Sequence, residues 1–189
     1  MVGTAMLAGT LAAPSGSRLF FGLGLLAALV WVAGARLSGP IAVRGHRGVA
    51  GFTDIGFPVV LGALLFGAFV GAKLIADQIP VLSGSVARVL ARADSGPRTF
   101  ILVVALVNGV GEELFFRGAV PSAFKTHASV WATAVYCGVT IATLNLALVA
   151  AALIMGTVFS LERRATGGVL APILTHLSWS TLVIFALPR

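Results

Sequence analysis

The chain has 189 residues, of which 58% are hydrophobic and only 10% are charged. A soluble domain carries about 25% charged residues because its surface faces water, so this composition excludes a soluble globule. The formal net charge of +7 does not indicate nucleic-acid binding, because the basic residues are scattered through short loops rather than clustered on one face. They are better explained as topology signals and as contacts to anionic lipid of the bilayer.

Long uncharged segments predict an all-α, polytopic membrane bundle of about 6–7 transmembrane helices, since a bilayer core needs roughly 20 apolar residues per helix. The 34 residues from Ala128 to Leu161 are too many for one span and sufficient for two short ones. We expect a single membrane domain, with N-terminal helices over residues 1–97 and a core over residues 98–189. The uncharged segments are Leu19–Ala35, Ile55–Ala72, Ala128–Leu161 and, with a neutral His176, Ala165–Pro188.

The first half of the chain predicts three helices and one ambiguous segment. Met1–Ala13 is apolar but brief, so we expect a short or truncated first helix. The next helices are expected over Arg18–Ala35 and Asp54–Ile79, on either side of a loop that Gly39-Pro40 interrupts. The basic and histidine residues of that loop are Arg36, Arg44, His46 and Arg47.

Pro80, Ser83 and Gly84 are expected to break the helical pattern after the third helix. In the segment Val86–Ala93 that follows, Arg88 and Arg92 lie four residues apart and so share one helix face. This pattern fits a helix in the membrane interface and fits a plain loop nearly as well.

The second half predicts four more helices. One is expected from Arg98 to about Val120, where Pro121 stops it, and Lys125 and His127 mark the short loop that follows. The uncharged run folds back near Asn145, which gives helices over about Ala128–Leu144 and Leu146–Arg163. Glu162, Arg163, Arg164 and Gly167-Gly168 are expected to form a tight loop before the final helix, Val169–Leu187.

The distribution of basic residues gives an orientation. If the Arg36–Arg47 loop is cytoplasmic, the Lys125 loop and the Arg163–Arg164 loop are cytoplasmic as well. Arg88, Arg92 and Arg98 then fall on the outer side, against the rule, which an interfacial helix partly excuses.

Glu112, Glu113 and Arg117 place three ionisable groups inside an otherwise apolar helix. Each charge near the bilayer centre costs at least about 2.5–3.5 kcal/mol, so such residues face the bundle interior and are paired. Glu113 and Arg117 are four residues apart and are expected to form a salt bridge. Glu112 lies about 100° away around the helix, next to Asn108. A purely structural network would explain one Glu–Arg pair, but the second carboxylate favours a catalytic role.

The last predicted helix carries His176 and, one turn later, Ser180. An intramembrane histidine can be a simple packing residue. Thr175, Ser178 and Trp179 add polarity, however, which suggests that this helix borders the same wet cavity as Glu112. A glutamate that accepts a proton from water and a histidine that donates to a developing oxyanion can together hydrolyse a peptide bond.

These motifs resemble the CAAX-protease and bacteriocin-processing (CPBP) intramembrane endopeptidases, also called the type II CAAX prenyl endopeptidase or ABI family. Their E-E-x-x-x-R motif is similar to Glu112-Glu113-Leu114-Phe115-Phe116-Arg117, and their H-x-x-x-N motif is similar to His176-Leu177-Ser178-Trp179-Ser180. The run Gly167–His176 is typical of the approach to that second motif. The resemblance covers roughly Arg98 to the C-terminus.

The resemblance implies that Glu112 is the general base and that Glu113 and Arg117 support it. It implies that His176 with Ser180 binds or polarises the scissile carbonyl. The family's middle motif, F-x-x-x-H, aligns with Tyr136 to Thr140, so Thr140 stands where a second histidine is expected. That substitution favours either a reduced active site or a member that has lost activity.

No cofactor is expected, because Glu112 and His176 alone make a poor zinc site; a divalent metal such as zinc stays the open alternative. The expected partners are the lipid bilayer and a peptide or membrane-protein substrate, and the expected location is the cell membrane. The Ala-, Gly-, Val- and Arg-rich composition points to a bacterial source. Cys137 is the only cysteine, which excludes an internal disulfide, and it is expected to be a small buried residue.

The alternative to a peptidase is a catalytically impaired CPBP-like protein that scaffolds or regulates a membrane partner. A third class is a small transporter in which Glu112 carries a proton. Transporters commonly show internal repeats, and the sequence has no convincing one.

Overall fold

The computed structural model describes residues 2–45 and 52–187, and every regular element in these ranges is helical. The expected all-α fold class is therefore confirmed. Short π-helical turns cover Phe52–Gly56 and Leu114–Ala119. The α-helices are α1 Val2–Ala12, α2 Arg18–Leu37, α3 Phe57–Ala76, α4 Pro80–Ala93, α5 Arg98–Glu113, α6 Val120–Ser122, α7 Ala128–Ile141, α8 Leu146–Thr166 and α9 Leu170–Ala186.

Four helical stretches in the described residues are long and apolar enough to cross a membrane. α7 and α9 are apolar but shorter, with 14 and 17 residues. Large hydrophobic side chains cover the outside of the bundle: Leu29 and Leu64 are each 65% exposed. Such a surface suits lipid rather than water, so the chain forms an all-α membrane bundle. The four stretches are Arg18–Leu37, Asp54–Ala76, Arg98–Ser122 and Leu146–Thr166.

Local signals explain several helix starts. The Ser17 side chain accepts a hydrogen bond from the Phe20 amide at the start of α2, and the Asn145 side chain accepts one from Leu148 at the start of α8. Both are N-cap residues of the preferred type. Asn145 also donates from its side chain to the Ser85 carbonyl, which fixes α4 against the α7–α8 turn. The predicted fold-back near Asn145 is thus confirmed.

Three of the expected boundaries are wrong. Pro80 is the first residue of α4 rather than a breaker, since proline is tolerated where the amide has no helical partner. Because α4 is a helix, the plain-loop alternative for Val86–Ala93 is excluded. Pro121 likewise does not stop the helical stretch, which continues to Ser122. Glu162, Arg163 and Arg164 lie within the last turns of α8, and the loop is confined to Gly167-Gly168, where Gly167 has a φ of 79°.

The segment after α2 returns to the start of α9. The Val169 amide donates to Ala42, and the Leu170 amide donates to Val43. These bonds bring the α2 and α8 ends together at one end of the bundle, which we call the basic end because it also carries Arg36, Arg44, Lys125, Arg163 and Arg164. His46 and Arg47 of the same predicted loop lie outside the described residues. The division of the chain at residues 97 and 98 stays a prediction.

Close packing through glycine joins α3 to α9. A Cβ on Gly62 would lie 2.8 Å from the Thr175 carbonyl oxygen and 3.1 Å from the Trp179 amide nitrogen. Small residues allow membrane helices to approach this closely. α9 is therefore held against α3 along the stretch that carries His176.

Candidate active site

Glu113, Arg117 and His176 form a buried chain of polar contacts. Arg117 Nη1 donates to Glu113 Oε1 at 3.1 Å, and both side chains are fully buried. His176 Nδ1 lies 2.9 Å from the same Glu113 oxygen. An ionised carboxylate can only accept, so His176 carries a proton on Nδ1 in this arrangement. The predicted Glu113–Arg117 salt bridge is confirmed, and the carboxylate that holds His176 is Glu113 rather than Glu112.

Arg117 is enclosed by rings as well as by Glu113. Its guanidinium carbon lies 4.7 Å from the centre of the Tyr136 ring and 5.2 Å from that of Phe159, which are cation–π distances. Among the described residues, Arg117 Nε and Nη2 and Glu113 Oε2 have no hydrogen-bond partner. A removal of either charge would leave the other buried and unpaired, which is strongly unfavourable.

The ring of His176 is positioned by packing on both sides. Its centre lies 5.3 Å from that of Phe159 on α8, and a Cβ on Gly109 of α5 would sit 3.5 Å from the imidazole. Gly109 and Glu113 lie on one face of α5, one turn apart. The imidazole therefore packs on this face of α5, one turn before Glu113.

Glu112 lies on a different face of α5 and has a different partner. Tyr136 of α7 donates its hydroxyl to Glu112 Oε2 at 3.0 Å. Glu112 is half-buried, and it borders a cavity of about 250 Å³ that α1, α2, α4, α5 and α8 enclose. Neither His176 nor any other residue of α9 lines that cavity, so the expectation that this helix borders the same cavity as Glu112 is wrong. His176, Glu113 and Arg117 remain within electrostatic range of Glu112.

Thr140 and Ser180 complete the set of predicted site residues. Thr140 is buried on α7, and its hydroxyl donates to the Tyr136 carbonyl at 2.8 Å. Ser180 is buried one turn after His176 on α9. The structure thus brings Glu112, Glu113, Arg117 and His176 into one cluster. Thr140 is connected to that cluster through Tyr136.

Two further polar residues of this region were not predicted. Tyr136, the only tyrosine of the chain, is the hydroxyl donor to Glu112, and its place in the middle motif was the signal available. Glu162 is buried on α8 and accepts a 2.7 Å hydrogen bond from Thr175, whose hydroxyl also lies 3.1 Å from the Pro58 carbonyl. This contact ties α8, α9 and the start of α3 together beside His176.

The donor set does not fit a catalytic zinc ion. Zinc requires three protein ligands of the His, Cys or carboxylate type, and no group of three such side chains is placed to share an ion within residues 2–45 and 52–187. The Glu113 oxygen that faces His176 is already bonded to the Arg117 guanidinium. A divalent cation at that place would meet a fixed positive charge.

Comparison with known protein families finds a match to the second half of the chain. Residues 94–182 match a protein-family model described as type II CAAX prenyl endopeptidase Rce1-like. This segment of the chain is Rce1-like. The resemblance read from the sequence motifs is thereby confirmed. No curated protein and no solved structure matches the chain.

The Rce1-like segment contains the whole cluster. It begins just before α5 and ends within α9, so it includes the two glutamates, Arg117, Tyr136 and His176. The helices before it are not covered by the match, yet α1 and α2 supply one wall of the cavity beside Glu112.

Proposed function

We propose that this protein is an intramembrane endopeptidase that hydrolyses a peptide bond with a water molecule activated by Glu112. The observation that carries the proposal is that two adjacent carboxylates of α5 are placed differently. Glu112 borders a cavity, and Glu113 holds the His176 imidazole and Arg117 in a buried cluster. The family match supports it, because the matched family is described as an endopeptidase.

Glu112 is the general base in this proposal. Tyr136 occupies one of its oxygens and so orients the carboxylate, which leaves the other oxygen for a water molecule from the neighbouring cavity. The carboxylate takes a proton from that water as the oxygen attacks the scissile carbonyl carbon. Glu112 then returns the proton to the amide nitrogen, so that the C–N bond breaks and the amine leaves. General base catalysis of this kind contributes about 10²–10⁴-fold to rate.

His176 stabilises the charge that develops on the carbonyl oxygen. Glu113 holds its Nδ1, so only Nε2 is available to a substrate. When the ring is protonated on both nitrogens, Nε2 donates to the oxyanion. Glu113 and Arg117 act as positioning residues, since they fix the orientation of the ring. Ser180 is proposed as a further polar group for the carbonyl, and Thr140 supports Tyr136 through its backbone.

The cavity beside Glu112 suggests the character of the substrate. Its wall is mostly apolar and includes Leu7, Phe20, Ala27 and Leu148, with Asn108 as one of the few polar members. Such a cavity suits the apolar part of a peptide or of a membrane protein that approaches from the lipid. We propose that the protein is bacterial and that its chain crosses the cell membrane several times. No metal or other cofactor takes part in the proposed reaction.

A peptide library tests this function directly. The detergent-purified protein is offered fluorogenic peptides, with Glu112→Ala and His176→Ala as matched variants. We expect the wild type to cleave at least one peptide family and both variants to lose most of that turnover. Equal background turnover in all three proteins would contradict the proposal.

A non-catalytic scaffold is the second candidate, and one observation favours it. Thr140 replaces the second histidine of the family motif, and its hydroxyl is already bonded to the Tyr136 carbonyl. A scaffold requires that Glu112→Ala disrupts assembly with a membrane partner while no peptide is cleaved by the wild type. Co-purification of partners with wild type and variant separates the two candidates.

A further inference from the structure

A second cavity, of about 620 Å³, opens at the basic end of the bundle, and of its lining residues Arg117 alone also belongs to the cluster around His176. It lies between the start of α7, the end of α8 and the π-helical turn before α6. No acidic side chain lines it in the described part of the chain. The polar members of its lining are Arg117, His127, Ser129, Ser160, Arg163 and Arg164.

Arg163 of this lining bonds to another element rather than to the end of its own helix. A basic residue in the last turn of a helix commonly interacts with the carbonyls of that turn. Arg163 Nε instead donates across to the Arg117 carbonyl at 3.2 Å, which holds its side chain at the cavity wall. Arg164 is exposed beside it. Arg117 also belongs to the wall, and two of its buried guanidinium nitrogens lack a protein partner.

The start of α7 adds backbone donors to the same cavity. No side chain caps this 14-residue helix, and the amides that do bond to the His127 carbonyl are those of Val130 and Trp131. The amides of Ala128 and Ser129 in the first turn are therefore available, and an uncapped helix N-terminus attracts anions. The Ser129 side chain lies in the lining as a further hydroxyl donor, whereas the Ser160 hydroxyl donates to Thr133 at 3.2 Å.

We propose that this cavity binds a phosphate group, carried by an anionic lipid headgroup or free in solution. Guanidinium groups, hydroxyls and helix-terminal amides are the donors that phosphate oxygens require. The cavity lies at the helix ends, where headgroups lie, and basic pockets between membrane helices on the cytoplasmic side are known to hold such headgroups. The inference does not depend on peptidase activity.

Thermal unfolding of the whole protein in neutral detergent tests the site, with the three tryptophans as the fluorescent probe. The additives are phosphatidylglycerol, phosphatidylcholine and inorganic phosphate, the last against sodium chloride at equal ionic strength. We expect phosphatidylglycerol to raise Tm by roughly 5 °C or more at saturation. The inorganic phosphate arm decides whether free phosphate also occupies the site.

Matched variants locate the effect. Arg163→Gln with Arg164→Gln should abolish the Tm rise, whereas Arg36→Gln with Lys125→Gln should keep it, because the latter pair is exposed at the same end but outside the cavity. Ser129→Asp is the second test variant. An acid in the first turn favours the helix but repels an anion, so this variant should fold and lose the rise.

Three results would overturn the proposal. One is that neither phosphatidylglycerol nor inorganic phosphate raises Tm. Another is an equal rise in the Arg163/Arg164 and Arg36/Lys125 double variants, which indicates general surface charge. The third is an equal rise with phosphatidylcholine, whose headgroup has no net charge, which indicates that binding does not depend on an anionic headgroup.

Discussion

Glu113 receives two partners on a single oxygen, and both depend on its negative charge. Glu113→Gln should therefore lower the free energy of unfolding by about 3 kcal/mol, because Arg117 would be left buried without a counter-charge. Denaturant titration of the detergent-purified variant measures this change.

The Lys73–Asp77 pair is the matched control, since it has the same four-residue spacing but a partly exposed carboxylate. Asp77→Asn should change stability by less than about 1 kcal/mol. Equal losses of unfolding free energy in Glu113→Gln and Asp77→Asn would mean that the buried pair stabilises the fold no more than the exposed pair does.

Tyr136 combines two functions that one substitution separates. Tyr136→Phe keeps the ring over Arg117 but removes the hydroxyl that donates to Glu112. We expect peptide turnover to fall by roughly tenfold, the equivalent of one hydrogen bond of about 1–1.5 kcal/mol, with Tm nearly unchanged. Tyr136→Leu removes the ring as well and should lower both turnover and Tm. A wild-type rate in Tyr136→Phe would count against an orienting role for the hydroxyl.

The sequence was sufficient for part of this cluster. Glu113 and Arg117 are one helical turn apart, so their salt bridge follows from spacing alone. The contact between Glu113 and His176 joins residues 63 positions apart, and it depends on how α5 and α9 are rotated against each other. Spacing holds no information on that rotation, and for that reason the sequence did not indicate which of the two glutamates meets the histidine.

At the scale of elements, the α3–α9 contact is the one that sets the position of His176. Gly62→Ala should lower the free energy of unfolding by about 1–3 kcal/mol, because the added methyl group meets backbone atoms of α9 rather than a side chain that can move. Displacement of α9 should also reduce turnover. Thermal unfolding and peptide cleavage measure the two effects.

Gly67 of the same helix is the matched control. A Cβ there has nothing within 4 Å, and alanine is the better helix former by about 1 kcal/mol. Gly67→Ala should keep or raise Tm and keep turnover. A similar loss in both variants would show that general helix properties, and not the contact at Gly62, are responsible.

Helix boundaries were predictable where a local signal is unambiguous and were missed where it is not. Asn145 is both a breaker and an N-cap, and its position in the long apolar run was sufficient to place the α7–α8 turn. Pro80 and Pro121 were misread because proline ends one helix and begins another equally well. The π-helical turn at Leu114–Ala119 has no simple residue pattern, although such turns are frequent at functional sites.

For the whole molecule, the distribution of basic residues predicts that the basic end of the bundle faces the cytoplasm. α3 and α5 each run from one end of the bundle to the other. Gln78, just after α3, and Lys125, after the helical stretch that begins with α5, therefore lie on opposite sides of the membrane. With Cys137 replaced by alanine, Lys125→Cys should resist a membrane-impermeant thiol reagent in intact cells, and Gln78→Cys should react. The reverse pattern would place the basic end outside, and labelling of both residues would contradict a membrane-spanning bundle.

The fold class followed from composition because hydrocarbon admits long uncharged helices and few alternatives. The number of crossings followed less well, since α7 and α9 are shorter than a typical span. α7 ends at Ile141 and α9 begins only at Leu170, after the Gly167-Gly168 turn.

The cleavage rate of Glu112→Gln beside that of Glu162→Gln is the measurement that tests the account most directly. Both variants replace a carboxylate inside the bundle by its isosteric amide, and at Glu162 the amide oxygen still accepts the Thr175 hydroxyl. We predict that Glu112→Gln lowers the cleavage rate by about 10²–10⁴-fold. Glu162→Gln should keep a rate within roughly tenfold of wild type, because Glu162 does not activate the attacking water in this proposal. Equal rates in the two variants would contradict Glu112 as the base.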